Sequence, residues 1–279
     1  MTIPFFLVDA FADRPFAGNP AGVCILPEAA PPRWMQSVAH EVGASETAFV
    51  IAPDSEGARL RWFTPADEVD LCGHATLAAA HALRIYENER NRPTRNAASF
   101  RTASGPLTAH YAAEGAIRLD FPIDPPKEKT PPGGLVEVCN IPAPEWAGRS
   151  TRDWLLHVST AADVEAAQPN MKALARFDTR GVIITAPGTA ETEHDFVSRF
   201  FAPRVGVPED PVTGSAHCAL GPYWSDRLGV THLTGYQASR RGGTVAIHLP
   251  EPMPGTDARV HLQGQCCTMV QGRWTAPPA

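Results

Sequence analysis

The chain has 279 residues, of which 43% are hydrophobic and 19% charged, a composition typical of a globular protein with one large or two ordinary domains. Its net charge of −6 argues against a general nucleic-acid-binding surface. The six cysteines show neither a disulfide framework nor the spacing of a zinc site, so we expect a reduced cytoplasmic setting and no metal. We also expect no secretory signal and no membrane-spanning segment, since the N-terminus lacks a basic stretch and all apolar runs are short.

The first part of the chain alternates short apolar runs with turn-forming segments. The apolar runs predict strands at 4–10, 22–26, 46–51 and 59–64, and a strand pair at 99–111. A helix is predicted at 33–42, after a Pro-Pro pair and before Gly43. A second helix is predicted from Gly73 to Leu83, and the polar segment 87–97 reads as a mobile loop.

The second part begins after a strand predicted at 117–121. The segment 122–134 is the richest in proline and charge and is the predicted linker. Further strands are predicted at 154–159, 181–186, 196–201, 259–262 and 268–274, with a hairpin at 237–249. Helices are predicted at 163–175 and at 214–228, the latter broken near Gly221-Pro222.

The stretch Cys72-Gly73-His74 opens the Ala-rich helix. Backbone amides in the first turn of a helix lack intrahelical partners and attract anions, and glycine lets a ligand approach them. Cys72 and His74 can both move protons. Taken alone, the stretch is more simply explained as an ordinary glycine turn with a packed cysteine and a capping histidine.

The stretch has a counterpart later in the chain. Residues 61–65 (RWFTP) precede the first glycine turn, and residues 199–203 (RFFAP) precede Thr213-Gly214-Ser215, with a second loop three residues longer. A strand, a helix and a strand come before each unit, and a strand pair comes after it. We therefore predict two copies of one β-rich unit, each with a central helix, whose two glycine turns face a common cleft.

Three further side chains are candidates for proton chemistry. Glu46 lies among small and apolar residues, where burial would adapt it to acid/base work, although an exposed strand-end glutamate is the simpler interpretation. Asp210 and Ser215 flank the second glycine turn, where a loop aspartate and a helix cap are the simpler interpretations. His217 and Cys218, one turn further on, are expected in the core. Neither a nucleophile elbow, nor a dinucleotide fingerprint, nor a P-loop is present in the sequence.

Six segments together resemble one known family. They are 17–23 (AGNPAGV), 45–50 (SETAFV), 63–65 (FTP), 68–77 (EVDLCGHATL), 210–216 (DPVTGSA) and 241–243 (RGG). In this order they are similar to the PhzF-like phenazine-biosynthesis isomerases, and the resemblance spans nearly the whole chain.

The resemblance implies an α+β architecture, the diaminopimelate epimerase-like fold. Two similar halves would each form a barrel-like, mostly antiparallel sheet wrapped around a central helix, with the active site between them. We place the halves at 1–117 and 118–279, with the last strand, about 265–275, as a candidate to return to the N-terminal half. The resemblance also implies a homodimer and no cofactor, and the two helix starts predict a small carboxylate-bearing substrate.

The site residues follow from the same resemblance. Glu46 resembles the family's general acid/base, and His74, Asp210 and Ser215 resemble its substrate-binding and proton-assisting residues. Gly73 and Gly214 belong to the turns that present backbone amides to substrate. The family's best understood activity moves a proton along the conjugated system of trans-2,3-dihydro-3-hydroxyanthranilate. The substrate of this chain is not readable from its sequence.

Cys72 marks a departure from the wider superfamily. The related epimerases and proline racemases place a cysteine at each glycine turn, whereas this chain has Cys72 at the first and Thr213 at the second. Threonine cannot serve as a thiol acid, so two-thiol racemisation is disfavoured and Cys72 reads as a vestigial thiol. Two alternatives stay open at this point: a one-thiol epimerase or racemase that uses Cys72, and a non-catalytic protein that binds a small acid.

Overall fold

The computed structural model describes residues 2–54, 57–93, 95–189, 191–252 and 257–275. The chain divides into two compact units. Unit 1 holds the residues up to Asp120 together with those from Gln263 onward, and unit 2 holds Phe121–Leu262. The division by contacts thus falls three residues after the boundary placed at 117/118 from the sequence, and it assigns the last strand to unit 1.

Both units combine a mixed sheet with helices. The strands are β1 (Ile3–Ala10), β2 (Asn19–Leu26), β3 (Glu46–Asp54), β4 (Gly57–Phe63), β5 (Glu68–Val69), β6 (Ala97–Thr102), β7 (Gly105–Tyr111), β8 (Ile117–Pro122), β9 (Lys127–Glu128), β10 (Trp146–Arg149), β11 (Asp153–His157), β12 (Gly181–Pro187), β13 (Phe196–Phe201), β14 (His232–Gln237), β15 (Gly243–His248), β16 (Arg259–Gly264) and β17 (Cys266–Trp274). The helices are α1 (Pro32–Val42), α2 (Gly73–Asn88), α3 (Leu135–Cys139), α4 (Ala161–Ala166), α5 (Met171–Leu174) and α6 (Gly214–Leu228).

The two units share one strand pattern. In unit 1, β2 and β3 pair in parallel across helix α1, and β3 then pairs antiparallel with β4. In unit 2, β11 and β12 pair in parallel across α4 and α5, and β12 then pairs antiparallel with β13. The strand β1 pairs antiparallel with both β2 and β17, which makes unit 1 discontinuous in sequence.

Helix α2 forms the centre of unit 1. Its alanines and leucines are buried on nearly every side against β1, β2 and β3, as in a helix that is apolar all round. The helix runs five residues beyond the predicted end at Leu83, so the predicted loop at 87–97 is wrong for its first two residues, and its last residue belongs to β6. Neither glycine nor proline interrupts the chain before Pro93, and the buried Glu87 carboxylate lies 3.7 Å from Arg95 and 3.9 Å from Arg92. These arginines stabilise the polar end of the helix.

Proline explains two further differences from the sequence-based assignment. The predicted helix at 163–175 is two short helices, α4 and α5, because Pro169 cannot continue a helix and Asn170 caps the next one through its bond from the Ala173 amide. Helix α6, by contrast, runs through Pro222 without the predicted break. The carbonyl of Cys218, whose helical donor Pro222 lacks, accepts instead from the Asp124 amide at 2.9 Å.

The repeat seen in the sequence has a matching ion pair in each unit. Arg61 on β4 binds the Glu68 carboxylate through two nitrogens at 2.6 and 2.7 Å. Arg199 on β13 binds Glu209 in the same way at 2.7 and 3.0 Å. Each glutamate lies four residues before the residue that caps the central helix. The pair therefore fixes the loop that leads into each glycine turn.

Candidate functional site

The candidate site of unit 1 lies where two parallel strands begin. Glu46 is the first residue of β3 and is paired with Ala21 of β2, two residues after Asn19. Cys72 caps α2, and His74 lies in the first turn of that helix. Since α2 is packed against β2 and β3, the helix start and the strand starts meet at one edge of the sheet.

Glu46, His74 and Cys72 are in direct contact there. Nε2 of His74 lies 3.1 Å from Oε2 of Glu46, and Nδ1 of His74 lies 3.5 Å from Sγ of Cys72. The side chains are 7% exposed for His74 and 17% for Glu46, and Cys72 is buried. Within the described residues, no group outside this cluster of three side chains hydrogen-bonds to Glu46 Oε2 or His74 Nε2, so the pair retains capacity to bind a ligand.

Asn19 and Ser45 set the orientation of the imidazole. The Asn19 amide nitrogen lies 3.2 Å from His74 Nδ1, and the Ser45 hydroxyl donates to the Asn19 oxygen at 3.1 Å. With this arrangement the amide donates to Nδ1, which places the proton of a neutral imidazole on Nε2, facing Glu46. A doubly protonated imidazole would instead direct Nδ1–H towards the Cys72 sulfur. The contacts around His74 therefore accommodate both protonation states.

Burial and mutual charge govern the three ionisable groups. Burial disfavours the Glu46 carboxylate, but the charge of His74 and hydrogen bonds from His74 and Cys72 outweigh it and lower the Glu46 pKa. Burial also disfavours protonated His74, yet its Cys72 and Glu46 neighbours hold its pKa well above 6.5. Burial and the Glu46 charge raise the pKa of the Cys72 thiol. Because Cys72 is then a neutral thiol at neutral pH, Glu46 is the anion that His74 faces.

The second glycine turn, in unit 2, is built around Gln237. The Gln237 side chain accepts from the Thr213 amide at 2.9 Å and donates to the Asp210 carbonyl at 2.6 Å. The Thr213 hydroxyl donates to the Asp210 carboxylate at 2.6 Å. Thr213 is thus fully engaged in holding the turn, and its position has no group that could act as the second thiol of a racemase.

Ser215 lies beside an ion pair that the sequence analysis did not identify. Nη1 of Arg180 donates to the Ser215 hydroxyl at 3.0 Å, and the same guanidinium binds the buried Asp153 carboxylate through its Nε and Nη2 nitrogens. Strand register relates these residues to unit 1, since Asp153 pairs with Gly181 as Ala21 pairs with Glu46. The position of Glu46 is therefore Gly181 in unit 2. A Cβ there would lie 2.4 Å from the Phe200 ring, so an acidic side chain at this position would have to displace that ring.

The remaining residues named from the sequence are buried or belong to the turns. His217 is fully buried with Nδ1 2.8 Å from the Thr213 carbonyl, and Cys218 is buried with its thiol 3.6 Å from the Gly214 carbonyl. Gly73 and Gly214 are the first residues of α2 and α6. The structure thus brings Glu46, Cys72 and His74 together in unit 1. In unit 2, Asp210 contacts Thr213, and Ser215 contacts Arg180.

Asn19, Ser45, Arg180 and Asp153 were missed as site residues. Asn19 and Ser45 do lie in the segments that carry the family resemblance, next to residues that were assigned roles. Arg180 and Asp153 lie outside those segments, and only the strand register of the repeat could have identified them.

In the part of the chain that the structure describes, no helix is long and apolar enough to cross a membrane.

Comparison with known proteins agrees with this architecture. The family model described as "Phenazine biosynthesis-like protein" matches residues 8–272. An uncharacterized isomerase of Halalkalibacterium halodurans is 46% identical over 273 residues, covering 97% of this chain and 98% of the relative. The crystal structure of a PhzF-family phenazine biosynthesis protein from Enterococcus faecalis superposes with a TM-score of 0.89 at 36% identity, covering 99% of this chain and 100% of that one.

A more distant structure shows the breadth of the fold. A hydroxyproline epimerase from Agrobacterium vitis superposes with a TM-score of 0.60 at 11% identity, covering 98% of this chain and 92% of that one. At this identity the likeness concerns the fold alone. The α+β, epimerase-like architecture predicted from the sequence is confirmed.

Proposed function

From the premise that this chain belongs to the phenazine biosynthesis-like (PhzF) family and is an isomerase, we propose that it shifts a proton on a small carboxylate-bearing substrate by acid/base catalysis at Glu46. One carboxyl group can remove a proton from one carbon and return it to another on the same face of a conjugated system. The reaction balances without a redox partner, because one C–H bond breaks, another forms and the double bond moves between them.

The observation that carries the proposal is the Glu46–His74 contact of 3.1 Å in a buried setting. The lowered Glu46 pKa supplies a carboxylate at neutral pH, which is the state that a general base needs. His74, with its raised pKa, can donate a hydrogen bond or a proton to that carboxylate as the charge of Glu46 changes. A proton taken by Glu46 from carbon is thereby held next to a group that stabilises both of its charge states.

The alternative with Cys72 as the only carrier finds less support. A buried thiol with a raised pKa, next to a carboxylate, is a poor base at neutral pH. We therefore assign to Cys72 a packing role beside His74 in the proposed reaction. A purely binding role for the chain is a less economical interpretation for a member of an isomerase family.

The roles assigned to the two glycine turns are also part of the proposal. We propose that Gly73 and Gly214 present backbone amides to a substrate carboxylate, and that His74, Asp210 and Ser215 bind substrate and assist proton movement. The support lies in the helix starts, which contain Gly73, His74, Gly214 and Ser215. For Asp210 it lies in the hydrogen bond that its carboxylate accepts from the capping residue Thr213, and for Ser215 in its hydrogen bond from Arg180. A homodimer in the cytoplasm is the expected form of the protein.

The test follows exchange of carbon-bound hydrogen in heavy water. A panel of small unsaturated carboxylic acids, including trans-2,3-dihydro-3-hydroxyanthranilate, is incubated with the protein and read by NMR and mass spectrometry. We expect deuterium in the isomerised product of at least one acid. The Glu46→Gln variant should lose at least about a thousandfold in rate, near the middle of the range for general acid/base groups, while substrate binding measured by calorimetry survives.

Two matched variants make the result specific. Glu28→Gln removes the same charge from an exposed glutamate of unit 1 and should leave the rate unchanged. Cys72→Ser should retain most of the activity. Full activity of Glu46→Gln, or inactivity of Cys72→Ser with normal binding, would overturn the assignment of Glu46 and favour the thiol.

A further inference from the structure

We infer that Glu46, Cys72 and His74 also form a binding site for a thiophilic divalent metal ion of the zinc type, and that this ion inhibits the enzyme. In the described part of the chain, these three side chains are the one group of histidine, cysteine and acidic residues whose ligand atoms converge closely enough to hold an ion. The inhibition rests on the proposed function, because the ion occupies the carboxylate that carries the proton. The binding itself does not depend on turnover.

The spacing of the donors fits a tetrahedral ion. One ligand atom from each of the three residues lies within 4.8 Å of the others. Zinc with Zn–N and Zn–O near 2.0 Å and Zn–S near 2.3 Å places adjacent ligands about 3.3 to 3.6 Å apart. The contact of 3.1 Å between His74 Nε2 and Glu46 Oε2 is close to these separations, whereas the 3.5 Å contact of the Cys72 sulfur is with the other ring nitrogen, Nδ1. To bind an ion on Nε2, the Cys72 sulfur must turn from Nδ1 towards Nε2, a movement within the spacing of at most 4.8 Å. The side chains can therefore close on an ion by small rotations.

The donor set selects the class of ion. A thiolate and an imidazole favour zinc, cobalt and copper over magnesium and calcium, which prefer oxygen ligands. Three protein ligands leave a fourth position open to water or to a substrate carboxylate. The site also has capacity for a ligand, since among the described residues buried Glu46 Oε2 and His74 Nε2 have no hydrogen-bond partner outside the three proposed ligands.

Asn19 supplies the outer support that such a site needs. The ion binds Nε2 of His74, so the imidazole proton moves to Nδ1, and the Asn19 amide turns its oxygen to accept it. The Ser45 hydroxyl, which lies 3.1 Å from Asn19, then accepts from the amide nitrogen instead of donating to the oxygen. A hydrogen bond to the second ring nitrogen is the common way in which proteins orient a metal-binding histidine.

The proton balance distinguishes this site from adventitious binding. A cysteine binds a metal ion as the thiolate, so the Cys72 thiol must lose its proton to become a ligand. Binding to the native protein should therefore release one proton more per ion than binding to a Cys72→Ser variant. The released proton can be counted in weakly buffered solution with an indicator dye.

The experiment uses the full chain, reduced and stripped of metal with a chelator, and titrates it with Co²⁺ without oxygen. We expect one equivalent to bind with the intense near-ultraviolet band of a cobalt–thiolate bond and the visible bands of a tetrahedral ion. Zn²⁺ should displace the cobalt. Cys72→Ser should lose the thiolate band and bind at least about tenfold more weakly, and Glu46→Gln should keep the band and weaken by a similar factor.

A second cysteine of unit 1 serves as the control. Cys267 is partly exposed, and its thiol lies 3.6 Å from the Ala12 carbonyl, so Cys267→Ser should leave both the band and the affinity unchanged. Retention of the band in Cys72→Ser, its loss in Cys267→Ser, or the absence of a stoichiometric complex would each overturn the inference. Cys72→Ala, with its folding checked by circular dichroism, repeats the test if the serine variant unfolds. Because these readouts are spectroscopic, their failure leaves the proton-shift proposal unaffected.

Discussion

Protonation of His217 should destabilise unit 2 in mild acid. His217 is fully buried in helix α6, where Nδ1–H donates to the Thr213 carbonyl at 2.8 Å and Nε2 has no partner among the described residues. Burial lowers the pKa of His217 to about 4, against 6.5 for the ordinary side chain. The unfolded chain therefore binds a proton at a pH where the folded chain does not, and this difference favours unfolding.

The magnitude follows from the two pKa values. The folded pKa lies below the unfolded one, so the stability contributed by neutral His217 is complete above pH 6.5 and is lost as the pH falls towards 4. Each unit of pKa difference is worth about 1.4 kcal/mol, so the free energy of unfolding should fall by about 2 to 3 kcal/mol between pH 7.5 and 4.5 from this residue. That is a large share of the 5–15 kcal/mol that stabilises a typical domain.

The assay compares His217→Gln with the native chain. Glutamine keeps a donor for the Thr213 carbonyl but cannot titrate. Between pH 7.5 and 4.5, the free energy of unfolding of the variant should therefore fall by about 2 to 3 kcal/mol less than that of the native chain. Urea unfolding is followed by tryptophan fluorescence, because Trp224 stacks on Phe196 at 5.7 Å beside the His217 ring. His232→Gln, at an exposed histidine of β14, is the control. Equal losses for the native chain and His217→Gln would refute the reasoning.

Two stability predictions concern the repeated frame, both measured by urea unfolding at pH 7.5. Glu209→Gln should cost about 2 to 3 kcal/mol, because it leaves the partly buried Arg199 without its carboxylate, whereas Glu68→Gln, in the more exposed equivalent pair, should cost less than about 1 kcal/mol. Equal costs would show that burial does not distinguish the pairs. Gly181→Ala should cost at least about 2 kcal/mol, since its Cβ would overlap the Phe200 ring, and a neutral result would mean that the ring moves aside freely.

The duplicated frame could be read from sequence because local signals repeat in it. An arginine on a strand, a glutamate in the following loop and a glycine at the helix start recur in both halves, and each has a structural counterpart. Strand positions followed from apolar runs, which tertiary packing reinforces. The split of the predicted helix at 163–175 was also present in the sequence, as Pro169 followed by the capping residue Asn170.

Other features depend on contacts between distant segments. Where Pro222 cannot donate to the helix, the Asp124 amide donates instead, and Asp124 lies 98 residues before Pro222 in the chain. The sequence around Pro222 therefore cannot predict that α6 continues. The Glu46–His74 contact joins a strand start to a helix start, and family resemblance supplied the two residues without their distance. The sequence did not predict Arg180 as a site residue, because strand register brings it next to Ser215. The assigned catalytic and binding roles stay predictions.

The pairing of β1 with β17 has a consequence for how the chain folds. A hydrogen bond from Arg273 to the Thr2 hydroxyl closes a separation of 271 residues, so all of unit 2 leaves the ribosome before this partner of β1 does. Until then β1 presents an open edge to the cell, while Asn19, Glu46 and His74 have already been synthesised. An open edge can pair with another chain, so slow or truncated translation should yield aggregates that still contain Asn19, Glu46 and His74. The edge of β1 that pairs with β17 is therefore covered only late in synthesis.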